Sequence, residues 1–211
     1  MAITILEERP LGAQTVRGTV LFVDLRGYTT LAEGLSPDTV ADLLEEFFGT
    51  LTPPVERHGG TVFHLAGDSL MAGFGLDDAG VAPVRAAIDA SRAMIAAFQP
   101  VSVRWERRLR ISTGIGVGVH VGAVAFVALG PPSLRRITLI GDTVNVAARL
   151  CQRARAGEVL FSASVAQALD PTAAGDVIAL PALALRGRAS PVDIYCVPAS
   201  ERTTVSHARD A

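Results

Sequence analysis

Apolar and polar positions along this chain follow two rhythms, one of alternation and one of helical period. A β-branched and aromatic run over residues 19–25 predicts a buried strand. The capping-box spacing of Thr30 and Glu33 then predicts the start of a helix. A second helix follows Pro37, with Val40, Leu43, Leu44, Phe47, Phe48 and Leu51 at helical spacing and its end disturbed by Pro53 and Pro54. Residues 61–66 and 69–75 read as short strands around Gly67-Asp68, a hairpin signal that puts Asp68 at the tip. Val84, Ile88, Ser91, Ile95 and Phe98 line one face of a further helix. Residues 109–119 and 122–129 read as paired central strands joined by a turn, because the apolar run 114–130 is glycine-rich and broken by His120. A strand over 137–140, a helix over 143–153, edge strands near 159–161 and 177–180 around a small helix at 163–169, and a strand over 193–197 complete the pattern. Residues 1–17 read as a leader, and the polar stretch from Pro198 as a frayed tail.

The resulting order, β-α-β-β-α-β with additional strands and helices after it, is the ferredoxin-like plan of an α+β domain. Composition agrees with one such domain: 211 residues, 49% of them hydrophobic, are enough to bury a core. The formal net charge of −2 gives no electrostatic reason to expect a nucleic-acid partner. Arg104, Arg107, Arg108 and Arg110, like Arg135 and Arg136, read as solvated faces. The run 114–130 falls short of a usual membrane span, and no secretory apolar core follows Glu7 and Glu8, so no membrane contact from this chain is expected. Cys151 and Cys196 show no paired-cysteine spacing and read as buried free thiols of a cytoplasmic protein.

Chemistry enters with Asp24, which follows the apolar run Val20-Leu21-Phe22-Val23. If the strand bearing Asp24 lies beside the hairpin bearing Asp68, two carboxylates come close, and they repel each other unless a cation lies between them. Magnesium favours such a pair together with triphosphate oxygens. Gly27, Tyr28 and Thr29 lie where the first helix begins, so their backbone amides could hold phosphate oxygens. Asn145 and Arg149 are four residues apart and share a helix face, with Val144, Ala148 and Cys151 expected on the opposite one. Arg149 could neutralise triphosphate charge, and Asn145 could orient a ribose oxygen or ring.

Four segments together resemble the class III adenylate/guanylate cyclase catalytic domain. They are Leu21-Phe22-Val23-Asp24-Leu25-Arg26-Gly27-Tyr28-Thr29, Leu65-Ala66-Gly67-Asp68-Ser69-Leu70-Met71-Ala72-Gly73-Phe74-Gly75, Ile140-Gly141-Asp142-Thr143-Val144-Asn145-Val146-Ala147-Ala148-Arg149-Leu150, and Leu185-Arg186-Gly187-Arg188. The resemblance implies a catalytic domain over residues 18–197, and two ions, Mg2+ or Mn2+, held per site by Asp24 and Asp68. It implies that Asn145 positions the ribose and Arg149 stabilises the reacting phosphate. Arg188, with Arg186 as the alternative, falls where the family often has a lysine for the terminal phosphates. Thr138 falls at the base-contacting position, and His64 stands where adenylate cyclases usually have lysine and guanylate cyclases often glutamate. It also implies a homodimer whose sites are shared: one subunit brings the aspartates, the other the base contacts, Asn145 and Arg149. The expectation is ATP conversion to 3′,5′-cyclic AMP. Guanylate or pyrimidine cyclisation, or a nucleotide-binding regulatory module without turnover, stands as the alternative.

Overall fold

The computed structural model describes residues 14–76, 83–169, 177–184 and 190–198. In chain order the elements are β1 (Gln14–Arg26), α1 (Tyr28–Gly34), α2 (Pro37–Arg57), β2 (Thr61–Ala66), β3 (Ser69–Phe74), α3 (Pro83–Leu109) and β4 (Gly114–Leu129). After a 3-10 turn at Pro132–Leu134 come β5 (Arg136–Ile140), α4 (Asp142–Arg153), β6 (Val159–Ser162), α5 (Ala163–Ala168), β7 (Ile178–Leu183) and β8 (Val192–Val197). Among the described residues the strands form one sheet in the order β2-β3-β1-β4-β6-β8-β7, with β5 paired to β4 outside that row. The first four strands, antiparallel in the order β2-β3-β1-β4, are the expected ferredoxin-like core.

Strand alternation separates the two faces of β1. Leu21, Val23 and Leu25 point into the main core beneath α2 and α3, with Phe47, Phe98, Trp105 and Phe161. Val20 and Phe22 point to the other face, where Met71, Phe126, Leu139 and Ala147 form a separate cluster under α4 and β5. Asp24 and Arg26 belong to this second face by parity.

Several boundaries differ from the sequence expectation. β1 begins at Gln14, inside the stretch read as a leader, because it pairs with β4 over its full length, from Gln14 opposite Phe126 to Arg26 opposite Gly114. β4 is therefore one strand of 16 residues with no turn at His120 and Val121. Its glycines serve packing: a Cβ on Gly118 would lie 2.1 Å from the Cys151 nitrogen, and one on Gly122 would lie 2.6 Å from Thr143 Oγ1. Only bare backbone lets α4 lie this close. His120, the polar interruption, is satisfied within the sheet, its Nδ1 2.6 Å from Ser162 Oγ.

Thr30 and Glu33 do not cap α1; both lie inside it, and Gly27 (φ 88°) occupies the cap position. α2 is capped by Ser36, which accepts from the Thr39 amide, and runs through Pro53 and Pro54 to Arg57. The last-turn carbonyls find side-chain partners: Arg57 Nε donates to Pro53 O at 3.3 Å, and His58 Nδ1 lies 2.7 Å from Pro54 O. α3 continues to Leu109, the expected strand start, and β4 begins only at Gly114, because Trp105 is buried against Phe98 with ring centroids 5.4 Å apart. Trp105 Nε1 also donates to Glu46 Oε2 at 2.7 Å, and Arg104 pairs with the same carboxylate, so Arg104 ties α3 to α2 and is not merely solvated. On α4 the buried face is Thr143, Val146, Ala147, Leu150 and Cys151; Val144 and Ala148, expected there, are only half-buried. Among the described residues no helix is long and apolar enough to cross a membrane.

Candidate active site

Asp24 lies two residues before the end of β1 and is half-buried, opposite Ser69 of β3 and Gly116 of β4. The β2–β3 turn brings Asp68 to it. Gly67 takes the left-handed conformation (φ 55°) that a tight turn needs, and the Leu25 amide donates to Asp68 O at 3.0 Å. This backbone bond fixes the hairpin tip beside the end of β1, so the two aspartates predicted to act together are neighbours. Burial pushes the Asp24 carboxyl above the usual carboxylate range. The Arg26 guanidinium pulls it back down, and the Asp68 charge pushes it up. A carboxylate that is short of water and faces a second one has the environment that a divalent cation relieves. Two carboxylates do not enclose an ion; among the described residues no group of three or more His, Cys, Asp or Glu side chains does so. The donor set therefore fits a magnesium-type ion completed by water and phosphate oxygens.

Gly27, Tyr28 and Thr29 form the turn into α1. Gly27 is constrained twice, by its positive φ and by Ser112 O, which a Cβ would approach to 2.7 Å. Leu31 N donates back to Gly27 O at 3.1 Å, so the amides of Tyr28, Thr29 and Thr30 precede the first intrahelical bond. Thr29 is exposed, while Tyr28 packs on the main core.

Asn145 and Arg149 lie on α4 outside its buried set; Asn145 is exposed and Arg149 half-buried. They point away from the sheet that α4 covers. His64 is exposed on β2, opposite Met71, and Thr138 is half-buried on β5, opposite Val127. These two strands meet at their chain neighbours. Leu139 Cδ1 and Phe63 Cε2 both crowd Gly73, 2.8 Å and 3.1 Å from where its Cβ would be, and Phe63 stacks edge-on against Phe126. His64 and Thr138 are thus carried by strands that share one small cluster. Arg186 and Arg188 lie outside the described residues.

Sequence reasoning passed over Arg26. Its Nη1 donates to Asp24 Oδ1 at 2.7 Å, and its Nη2 to the Cys151 carbonyl at 2.5 Å. The available signal was the period of two, which puts Arg26 on the same strand face as Asp24. Cys151 and Cys196 are buried free thiols, as expected. Burial, reinforced by the Asp24 charge, pushes the Cys151 thiol up to about 12.

An α+β sheet with paired carboxylates at a strand end and an outward-facing Asn145–Arg149 helix defines a class III nucleotidyl cyclase fold. The family model described as "Adenylate and Guanylate cyclase catalytic domain" matches residues 13–197, and the chain belongs to that family. Adenylate cyclase 1 of Rhizobium meliloti is 34% identical over 139 residues, 63% of this chain and 20% of that protein. The adenylyl cyclase CyaB from P. aeruginosa superposes with a TM-score of 0.81 at 27% identity, covering 91% of this chain and 98% of the other. The guanylyl cyclase Cya2, at 24% identity and a TM-score of 0.77 over 92% of this chain and 98% of the other, shares the fold. The chain spans between 20% and 36% of the length of the first curated relatives it matches.

Proposed function

We propose that this chain is a metal-dependent adenylate cyclase domain, converting ATP to 3′,5′-cyclic AMP and pyrophosphate in sites shared by two copies. The observation that carries the reading is the juxtaposition of Asp24 and Asp68, fixed by the Leu25–Asp68 backbone bond, with the Asp24 carboxyl raised chiefly by burial and further by the Asp68 charge. Asp24 and Asp68 would hold two divalent cations, Mg2+ or Mn2+, whose chemistry there is to acidify the ribose 3′ hydroxyl and neutralise phosphate charge.

The chain's own residues take the remaining tasks. The 3′ hydroxyl gives its proton to solvent water, its oxygen bonds to the α-phosphorus, the bond from that phosphorus to the bridging oxygen breaks, and pyrophosphate leaves. Arg149 meets the charge that develops on the α-phosphate, and Asn145 holds the ribose so that the 3′ oxygen stays in line. Amides at Gly27, Tyr28 and Thr29 face phosphate oxygens, and Arg188 reaches the terminal phosphates. Asn145 and Arg149 face outward from their own sheet, which supports their serving a second copy's aspartates.

His64 and Thr138 read the base. Adenine offers a ring nitrogen that accepts and an amino group that donates, and a His64 N–H and the Thr138 oxygen match that order. Histidine can exchange tautomers, so discrimination against guanine is expected at about tenfold to a hundredfold, the scale of one misplaced buried hydrogen bond. Incubation with each of the four ribonucleoside triphosphates and Mn2+, with product analysis, tests the reading. Cyclic AMP should dominate, with kcat/KM for ATP kept or raised by His64→Lys and lowered by His64→Glu. A cyclic GMP or cyclic pyrimidine product overturns the base assignment. Nucleotide binding without any cyclic product overturns the enzyme assignment in favour of a regulatory module.

A further inference from the structure

Arg26 joins two parts of the molecule that have separate tasks in the proposed reaction. Its Nη1 occupies Asp24 Oδ1 at 2.7 Å. Its Nη2 donates to the Cys151 carbonyl at 2.5 Å and lies 3.9 Å from Cys151 Sγ. That carbonyl belongs to the last turn of α4 (Asp142–Arg153), where it also accepts from the Ala154 amide at 3.1 Å and where a positive charge is favoured. The guanidinium lies in a slot made for it. A Cβ on Gly116 would stand 2.7 Å from both Nε and Nη2, so the strand leaves its side-chain position empty at the residue opposite Asp24. Cys151 Sγ closes the slot by donating to Gly116 O at 3.3 Å.

The slot has one imperfection: Arg26 Nε is buried without a hydrogen-bond partner. Burying a donor unmet is unfavourable, and an ion pair serving stability alone gains nothing from it. The planar fork is retained because two of its nitrogens must reach two different groups at once, which lysine cannot do.

We propose that Arg26 is a positioning residue that locks the metal-binding carboxylate of Asp24 to the carboxyl-terminal end of α4. It holds Oδ1 and leaves Oδ2 for the cation. Through the Cys151 carbonyl it fixes the axial position of the helix that carries Asn145 and Arg149. This inference rests on the cyclase reading with shared sites. There the Asp24 of one chain serves one site while its α4 serves the other, so each Arg26 ties the two sites of a dimer together.

Mixed dimers separate the two tasks. Pairing an Asp68→Ala chain with an Arg149→Ala chain leaves one intact composite site, with Asp24 and Asp68 from the second chain and Asn145 and Arg149 from the first, and keeps the Arg26 bridge in both chains. Arg26→Met placed in the Arg149→Ala chain should raise the Mn2+ concentration for half-maximal activity about 10–100-fold, the usual effect of losing a residue that orients a metal ligand. Placed in the Asp68→Ala chain, it should lower kcat about tenfold or more with the Mn2+ requirement unchanged, since a displacement near 1 Å has that effect on aligned groups. Arg26→Lys, keeping the charge and one bond, should restore the metal arm to within about threefold and leave the kcat arm low. Titration of Mn2+ followed by its EPR signal on the R26M homodimer should show the same weakening without turnover.

An arginine serving only the fold would lower thermal stability and act alike in both placements. That outcome, or unchanged kinetics in either placement, overturns the inference. A lowered Mn2+ requirement also overturns it, because Arg26 would then compete with the cation. If the parent mixed dimer yields no cyclic product, the shared-site reading fails, and the EPR titration still decides whether Arg26 orients Asp24.

Discussion

At the scale of single residues, Asp24 shows what a half-buried charge does to its own domain. Burial is the largest influence on its carboxyl and raises it, with Asp68 adding to the rise and Arg26 opposing it. A carboxyl whose folded value lies above its unfolded one contributes stability that is complete below the unfolded value near 3.8 and lost as pH rises through the folded one. At neutral pH without metal, ionised Asp24 therefore weakens the fold. Asp24→Asn should raise the melting temperature of the metal-free domain at pH 7, by an amount that shrinks as pH falls toward 3.8. Added Mn2+ should stabilise the parent and leave this variant nearly unmoved, because a ligand stabilises only the state that binds it. Melting curves across pH, with and without Mn2+, measure both effects. A variant less stable than the parent at pH 7 contradicts the sign.

At the scale of elements, the sheet positions its helices through missing side chains. Gly118 is the tightest case: a Cβ there would lie 2.1 Å from the Cys151 nitrogen and 2.4 Å from the Ala147 carbonyl oxygen, both backbone atoms that cannot rotate aside. Gly118→Ala should push α4 off β4, at a cost of about 1–3 kcal/mol. Turnover should fall further than this loss implies, because Asn145 and Arg149 move with the helix. Denaturation midpoints compared with kcat/KM test the difference. Gly34→Ala in α1, where a Cβ meets nothing within 4 Å, serves as the control and should stay at or slightly above parental stability. The same glycines explain why β4 has the sequence pattern of two strands. Glycine density near His120 has the appearance of a turn in one dimension, and only the approach of α4 reveals it as packing. The helix and strand types elsewhere were legible because Leu43, Phe47 and Leu51, or Val84, Ile88 and Ser91, keep one period over a long stretch. Ends were less legible, since Trp105 extends α3 by reaching Glu46 of α2, 59 positions away, and the Arg57 and His58 side chains meet the Pro53 and Pro54 carbonyls at the end of α2. Asp24 and Asp68 could be paired from hairpin logic alone, whereas the link from Arg26 to Cys151 spans 125 positions and needed the fold.

At the scale of the whole molecule, the two groups of residues assigned to the proposed site have different outlooks within one chain. The aspartates sit at the strand end beside Arg26, and Asn145 and Arg149 face outward from α4. Two copies related by a two-fold axis would each complete the other, which makes activity a property of the pair. Specific activity should therefore fall on dilution, as the dimer dissociates. Homodimers of Asp24→Ala lack the aspartate in both sites, and homodimers of Arg149→Ala lack the arginine in both, so each alone should be inactive. Mixed in equal amounts and allowed to exchange, random pairing gives about half mixed dimers, each with one intact site of two. Recovery should thus approach about one quarter of the parental specific activity. The Mn2+ requirement of the recovered activity should match the parent's, since the working site contains unaltered Asp24 and Asp68. Mixing the two purified variants, with native mass spectrometry to count mixed dimers, makes the measurement quantitative. Activity proportional to the fraction of mixed dimers is the expected result. Mixed dimers without activity would mean that each chain uses its own Asn145 and Arg149, and would overturn the shared site.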